Sequence, residues 1–168
     1  DGSRSFLYHV HHAAPGMLTA DDVDLDKIRD AKWLHVSGFT LSTNQNSADA
    51  VYKMVKGASE KTKVCFDPNI RPEALSVEEI KELCHPVLER ADVIFPSRGE
   101  AMMFTGAATD DEGCRQWALE GKIVVLKNGA AGCRIYAGDE VVQIPGFQVE
   151  EVDPTGAGDT FCGAFLTA

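Results

Sequence analysis

The chain has 168 residues, 44% of them hydrophobic and 25% charged, enough for one domain with a real core and against the composition of a disordered chain. Its formal net charge of −10 argues against nucleic-acid binding but leaves open a small anionic ligand held by backbone amides. No apolar run approaches the length of a membrane span, and no secretory or targeting segment is visible.

The opening Asp1-Gly2-Ser3-Arg4 reads as the interior of a protein, so the chain is expected to continue before it. Phe6–Val10 alternates like a strand, which puts His9 and His11 on one face and Tyr8, Val10 and His12 on the other. That split, with no carboxylate or cysteine near, argues against a metal site there. Thr19–Asp30 reads as one capped acidic helix, and Trp33–Val36 as a short strand ending at Ser37-Gly38. Ser47–Gly57 places Val51, Met54 and Val55 on one helical face. Val64–Phe66 is a strand stopped by Asp67-Pro68-Asn69. Ser76 and Glu79 form a capping box for a helix through Leu88, with Ile80, Leu83, Val87 and Leu88 as its stripe.

Val93–Phe95 is a strand stopped by Pro96-Ser97, and helices follow at Gly99–Phe104 and Asp111–Leu119. Ile123–Leu126, Cys133–Tyr136 and Val141–Ile144 read as strands, the last two a hairpin turning at Gly138-Asp139. The chain stops at Ala168 inside a helical pattern and is expected to continue beyond it.

Strand–helix alternation at this spacing predicts an α/β fold, a mainly parallel sheet with helices on both faces. Ligands in such sheets bind beyond the carboxyl ends of the strands. The five cysteines, Cys65, Cys84, Cys114, Cys133 and Cys162, form no CxxC pair and sit among apolar residues. They read as buried, reduced thiols of a cytoplasmic protein rather than a zinc site or a disulfide framework.

Chemistry concentrates in Val152-Asp153-Pro154-Thr155-Gly156-Ala157-Gly158-Asp159-Thr160-Phe161-Cys162-Gly163-Ala164-Phe165. Gly156, Ala157 and Gly158 are small residues just before an apolar helical pattern. They let a backbone approach a ligand and leave helix-start N–H groups free. That is an anion hole suited to a transferring phosphoryl group. Asp159 stands beside it, where a carboxylate is costly unless it accepts the proton of an attacking hydroxyl. Alternatively the two glycines make a tight turn and Asp159 only favours the helix dipole. The segment is neither a Walker A loop nor a Rossmann fingerprint, since Phe161 stands where a third glycine would be.

Asp153–Phe165 resembles, almost residue for residue, the C-terminal signature of ribokinase-like (pfkB) carbohydrate kinases, and the resemblance covers nearly the whole chain. It implies that Asp159 is the catalytic base and Gly156, Ala157 and Gly158 the anion hole. It implies ATP as co-substrate with Mg2+, and leaves K+ open. Asp153 and Thr155 match positions that help hold a monovalent cation in many members, although Asp153 can equally be a turn residue before Pro154. Pro96-Ser97-Arg98-Gly99-Glu100 matches the family's Asn-x-x-Glu, with Ser97 in place of Asn. There Glu100 would act on magnesium through water, or be an ordinary first-turn glutamate. Lys127-Asn128-Gly129-Ala130-Ala131-Gly132 is similar to a turn lining the nucleotide, which implicates Lys127, Asn128, Gly129 and Gly132, with Ser97 nearby. The glycines can also simply make a turn, and Lys127 be a surface charge.

Asp67-Pro68-Asn69-Ile70-Arg71-Pro72 resembles the DxNxR stretch of keto-deoxygluconate kinases and fructokinases, where Asn69 and Arg71 would face the substrate. Tyr8 matches a substrate-contacting tyrosine of that branch. His9 stands where its arginine is expected, a departure that favours a neutral ketose such as fructose or tagatose, whereas Ser97 and Asp67–Arg71 resemble the keto-acid branch, so both stay open. Residues 1–168 are therefore expected to be most of one ribokinase-like domain, without the N-terminal sugar-binding and lid segment or the C-terminal end. The implied activity is ATP-dependent phosphorylation of a primary hydroxyl on a ketose or keto sugar acid. The alternative is a kinase-like domain that binds sugar or nucleotide without turnover. The expected partners are the sugar and ATP, with no nucleic acid or membrane; a homodimer stays open.

Overall fold

Short apolar runs that stop at polar turns, and helices that mostly open on Ser, Thr, Asn or Asp, set the order of elements. The computed structural model describes residues 13–71 and 75–168. Its strands are β1 (Trp33–Ser37), β2 (Lys63–Asp67), β3 (Val93–Ile94), β4 (Ile123–Lys127), β5 (Cys133–Ala137) and β6 (Glu140–Ile144). The helices are α1 (Ala14–Met17), α2 (Leu25–Asp30), α3 (Gly38–Thr43), α4 (Gln45–Gly57), α5 (Val77–Arg90), α6 (Glu100–Thr105), α7 (Asp110–Leu119) and α8 (Ala157–Thr167).

The strands lie in the order β1-β2-β3-β4-β5-β6. β1 to β4 are parallel, and β5 and β6 close the sheet as an antiparallel hairpin. Its two-residue turn holds Gly138 at φ 55, a left-handed conformation that glycine adopts freely. Side chains alternate across the strands and build two cores. Val64, Phe66, Ile94, Val124 and Leu126 pack with α4, α5 and α7 through Val51, Ile80, Val87 and Trp117. Cys65, Val93, Phe95, Val125 and Cys133 face the other way, against Cys162, Phe161 and Phe165 of α8. Helices therefore cover both faces, and α8 stands apart from the rest.

Local signals fix the helix starts. Asn44 caps α4 by accepting from the Ser47 N–H, and Thr109 caps α7 by accepting from the Glu112 N–H. The Ser76–Glu79 capping box is complete in both directions. The single helix expected over Thr19–Asp30 is instead a 3-10 turn at Ala20–Asp22 followed by α2. Two capping residues compete: Thr19 opens the turn, and Asp24 starts α2 by accepting from the Asp26 and Lys27 N–H groups. Ser37-Gly38, read as the end of a strand, also begins α3, whose start Ser37 caps through the Phe39 N–H at 3.3 Å. All five cysteines are buried and free. Among the described residues, no helix is long and apolar enough to cross a membrane.

Candidate active site

β2 ends in a buried carboxylate. Asp67 is 2% exposed, and its Oδ1 accepts the Asn69 N–H at 3.1 Å. Its Oδ2 accepts from Lys127 Nζ at 2.5 Å and from the Cys162 thiol at 3.7 Å. Lys127 leaves the end of β4, two strands from β2 in the sheet, so its side chain reaches across β3. Adjacent strands are about 4.8 Å apart, a span that needs the four-carbon stem. The pair is buried on both sides, with side-chain exposures of 15% and 3%. Lys127 is therefore no surface charge. Removing either partner would strand the other charge, at about 3–5 kcal/mol.

The loop after β2 turns back at Asn69, which has φ 41; asparagine tolerates this left-handed region better than most residues. Asn69 Nδ2 donates to Ser37 Oγ at 3.3 Å, and Arg71 donates to the Ile70 carbonyl at 2.9 Å. Glu100, the first residue of α6, braces this loop. Its Oε1 accepts the Ile70 N–H at 2.9 Å and its Oε2 the Ser97 N–H at 2.7 Å. Burial raises the Glu100 pKa, the two N–H bonds work against that, and Asp67 raises it further.

Ser97 bridges to Lys127 in parallel register, and Arg98 donates to the Asn128 carbonyl, so the loops after β3 and β4 are joined. Asn128 N–H donates to the Gly132 carbonyl at 2.8 Å and closes the Gly129–Gly132 turn. Gly132 has φ 88, and a Cβ there would lie 2.0 Å from the Ile144 carbonyl oxygen. Its absence of a side chain is thus required by the backbone of β6.

α8 brings the signature to the same end of the sheet. Gly156 caps the helix at φ 75 with no side-chain cap; the Ala157 N–H donates to the Pro154 carbonyl at 3.0 Å, which leaves the Gly158 and Asp159 N–H groups of the first turn to meet an anion. Gly158 lies in that turn, and a Cβ on it would come no closer than 3.8 Å to Lys127 Nζ. Asp159 follows, exposed at the helix start. Asp153 Oδ1 accepts the Thr155 N–H at 2.9 Å and shapes the turn that leads in.

Two neighbouring groups report this charge cluster. His35 is exposed on the strand, yet the protein packed around its ring partly desolvates it and lowers its pKa, while Asp67 and Asp159 raise it and Lys127 lowers it. His35 sits edge-on to Phe95 at 6.1 Å. Burial pushes the Cys162 thiol up to about 12, with Lys127 opposing and Asp67 and Asp159 adding to the shift. Cys162 is therefore a neutral thiol, a donor and not a nucleophile.

The structure thus brings Asn69, Ser97, Glu100, Lys127, Asn128, Gly158 and Asp159 to one end of the sheet. Asp153, Thr155 and Gly156 lie just before α8. Arg71 lies on the same loop as Asn69, turned onto its own backbone. Gly129 and Gly132 shape a turn and contribute no side chain. Tyr8 and His9 fall outside the described residues. Residue-type reasoning passed over Asp67, His35 and Cys162.

The whole chain, residues 1–168, matches the family model described as pfkB family carbohydrate kinase. Fructokinase-1 of Zea mays is 32% identical over 170 residues, covering 99% of this chain and 52% of the relative. Fructokinase-2 of Solanum lycopersicum is 34% identical over 170 residues, with the same shares of 99% and 52%. The chain thus spans about half the length of the curated relatives it matches. An E. coli protein named as a candidate ribokinase II, solved with ATP and Mg2+, superposes with a TM-score of 0.89 at 36% identity, over 98% of this chain and 54% of the other. A fructokinase of Vibrio cholerae O395, solved with fructose, ADP and calcium, gives 0.71 at 30% identity, over 86% and 48%. A helix start with Gly156 and Asp159 above a parallel sheet, matched over every residue by one family model, leads to one assignment: the chain belongs to the pfkB family of carbohydrate kinases.

Proposed function

We propose that the protein is an ATP-dependent carbohydrate kinase that phosphorylates a primary hydroxyl of a ketose, with Asp159 as the base. The observation that carries this reading is the placement of Asp159 and the uncapped N-terminal turn of α8 beside the buried Asp67–Lys127 pair, at the carboxyl ends of the strands. The sugar hydroxyl gives its proton to the Asp159 carboxylate as its oxygen bonds to the γ-phosphorus of ATP. The bond from that phosphorus to the bridging oxygen breaks, and ADP leaves with the electron pair. The Gly158 and Asp159 N–H groups at the start of α8 receive the charge on the phosphoryl oxygens. General-base assistance of this kind contributes about 10²–10⁴-fold.

Among the described residues no group of three or more His, Cys, Asp or Glu is arranged to hold a metal. This fits magnesium arriving on the phosphates of ATP, with one or two protein carboxylates in support. Glu100 would be that carboxylate, acting through water, since each of its oxygens keeps a lone pair beyond its N–H bond. Magnesium would neutralise charge on the phosphates. Asp153 and Thr155 would serve a monovalent cation beside the anion hole. The loop of Asn69 and Arg71 faces the sugar, and Asn128 with the Gly129–Gly132 turn lies along the nucleotide. A neutral ketose fits better than a sugar acid because no fixed charge stands at His9, and the fructokinase relatives point the same way.

The test is a coupled ADP-release assay of the full-length protein against fructose, tagatose, ribose and 2-keto-3-deoxygluconate. Fructose or tagatose is expected to give the highest kcat/KM. Preference for the keto acid would overturn the ketose assignment, and no turnover with any sugar would overturn the kinase reading.

A further inference from the structure

Asp67 has no role in the chemistry just described, yet it is the most connected polar group at that end of the sheet. It is 2% exposed, and its two oxygens serve three separate elements. One oxygen takes the Asn69 N–H and so bends the substrate loop. The other takes Lys127 from the end of β4 and the Cys162 thiol from α8. Cys162 is one helical turn beyond Gly158 and Asp159, on the face of α8 that packs on the sheet. Lys127 in turn lies beneath Gly158, 3.8 Å from where its Cβ would be. The same Lys127 also fixes Ser97 by a backbone bridge.

We propose that Asp67 is a positioning residue: through Lys127 and Cys162 on one oxygen and the Asn69 N–H on the other, it sets how far the base and anion hole of α8 stand from the loop of Asn69 and Arg71. It rests on the kinase reading above, because the distance matters only if the two sides hold the two reactants. Lys127 is the long arm of the device and Cys162 the short one. A displacement of about 1 Å between reacting groups can cost about 10²-fold in rate while each substrate still binds its own half of the site. The device therefore predicts a loss in kcat that far exceeds any change in KM, since the Asp67 carboxylate touches neither reactant and acts only through the groups it holds in place.

The experiment uses full-length protein, steady-state kinetics in both substrates, and Asp67→Asn, Lys127→Met and the double variant. Asp67→Asn is expected to lower kcat about 100-fold with each KM within about threefold. Lys127→Met should lose a similar amount, and the double variant should be no worse than the worse single, because the two act as one unit. Losses that multiply, a loss confined to KM, or unchanged kcat in folded Asp67→Asn would each overturn the proposal. Should Asp67→Asn fail to fold, the Cys162 pair decides. Cys162→Ala should slow kcat severalfold and Cys162→Ser, which keeps a donor, should restore it; equal rates for the two would overturn it. A wild-type protein without kinase activity would remove both readings, whereas active wild type beside an unaffected Asp67 variant removes this one alone.

Discussion

Two glycines are crowded in similar measure but predict opposite outcomes when replaced by alanine. A Cβ on Gly38 would lie 2.1 Å from the Pro68 carbonyl oxygen and 3.0 Å from its carbon. Pro68 is buried, and its neighbours Asp67 and Asn69 are pinned by hydrogen bonds. The obstacle is thus backbone that must move by about 1 Å to restore an ordinary contact. Overpacking of this kind costs about 1–3 kcal/mol. The movement would fall on the loop of Asn69 and Arg71, so kcat/KM for the sugar should drop by about 10-fold or more. A Cβ on Gly57 would lie 2.4 Å from Leu25 Cδ2, the tip of a side chain that can rotate away. There the cost of repacking is set against alanine's helix preference of about 0.5–1 kcal/mol at the end of α4. Gly57→Ala should therefore stay within about 1 kcal/mol of wild type, with unchanged kinetics. Urea unfolding and steady-state kinetics on the full-length protein read both quantities. A Gly38→Ala protein with wild-type stability and kcat/KM would refute the steric argument, as would Gly57→Ala proving the more damaging of the two.

Gly158→Ala meets only Lys127 Nζ at 3.8 Å, so the protein itself has room for the methyl. Its stability should stay within about 1 kcal/mol of wild type while phosphoryl transfer falls at least about 10-fold; intact activity would mean that no phosphate approaches that backbone. Burial works to raise the Asp92 pKa, but the Val64 N–H at 2.9 Å, Lys63 and Arg90 outweigh it and hold the carboxyl below its ordinary 3.8. A lowered carboxylate pKa stabilises the fold above 3.8 and loses that stability as pH falls through the folded value. Asp92→Asn should thus cost about 1–3 kcal/mol at pH 7, with the gap to wild type closing towards pH 3. Unfolding curves recorded from pH 7 to pH 3 check this, and a constant gap would contradict it.

The sheet was legible because its strands are short apolar runs punctuated by Ser, Asp-Pro and Pro-Ser turns, and β1 to β6 fall within a residue or two of those runs. Helix α5 was legible from one capping box. The region from Thr19 to Asp30 was not, because Asp24 is both a plausible helix interior and a capping residue, and only the folded chain shows which role it takes. The glycine–aspartate turn of α8 stood out as a candidate anion site by residue type alone, and the fold sets it at the start of a helix. What it is anchored to was not readable. The Asp67–Lys127 pair joins residues 60 positions apart and depends on the strand order, which no local pattern carries. For the same reason Lys127 reads in sequence as a nucleotide contact or a surface charge, and in the fold as one half of a buried pair.

Asp159→Asn tests the central claim most directly, because the amide keeps the size of the side chain and removes the proton acceptor. In the full-length protein, kcat for the preferred sugar should fall by about 10²-fold or more while the affinity for a non-hydrolysable ATP analogue, read by calorimetry, stays within about threefold. A folded Asp159→Asn protein with near-normal kcat would contradict the assignment of Asp159 as the base.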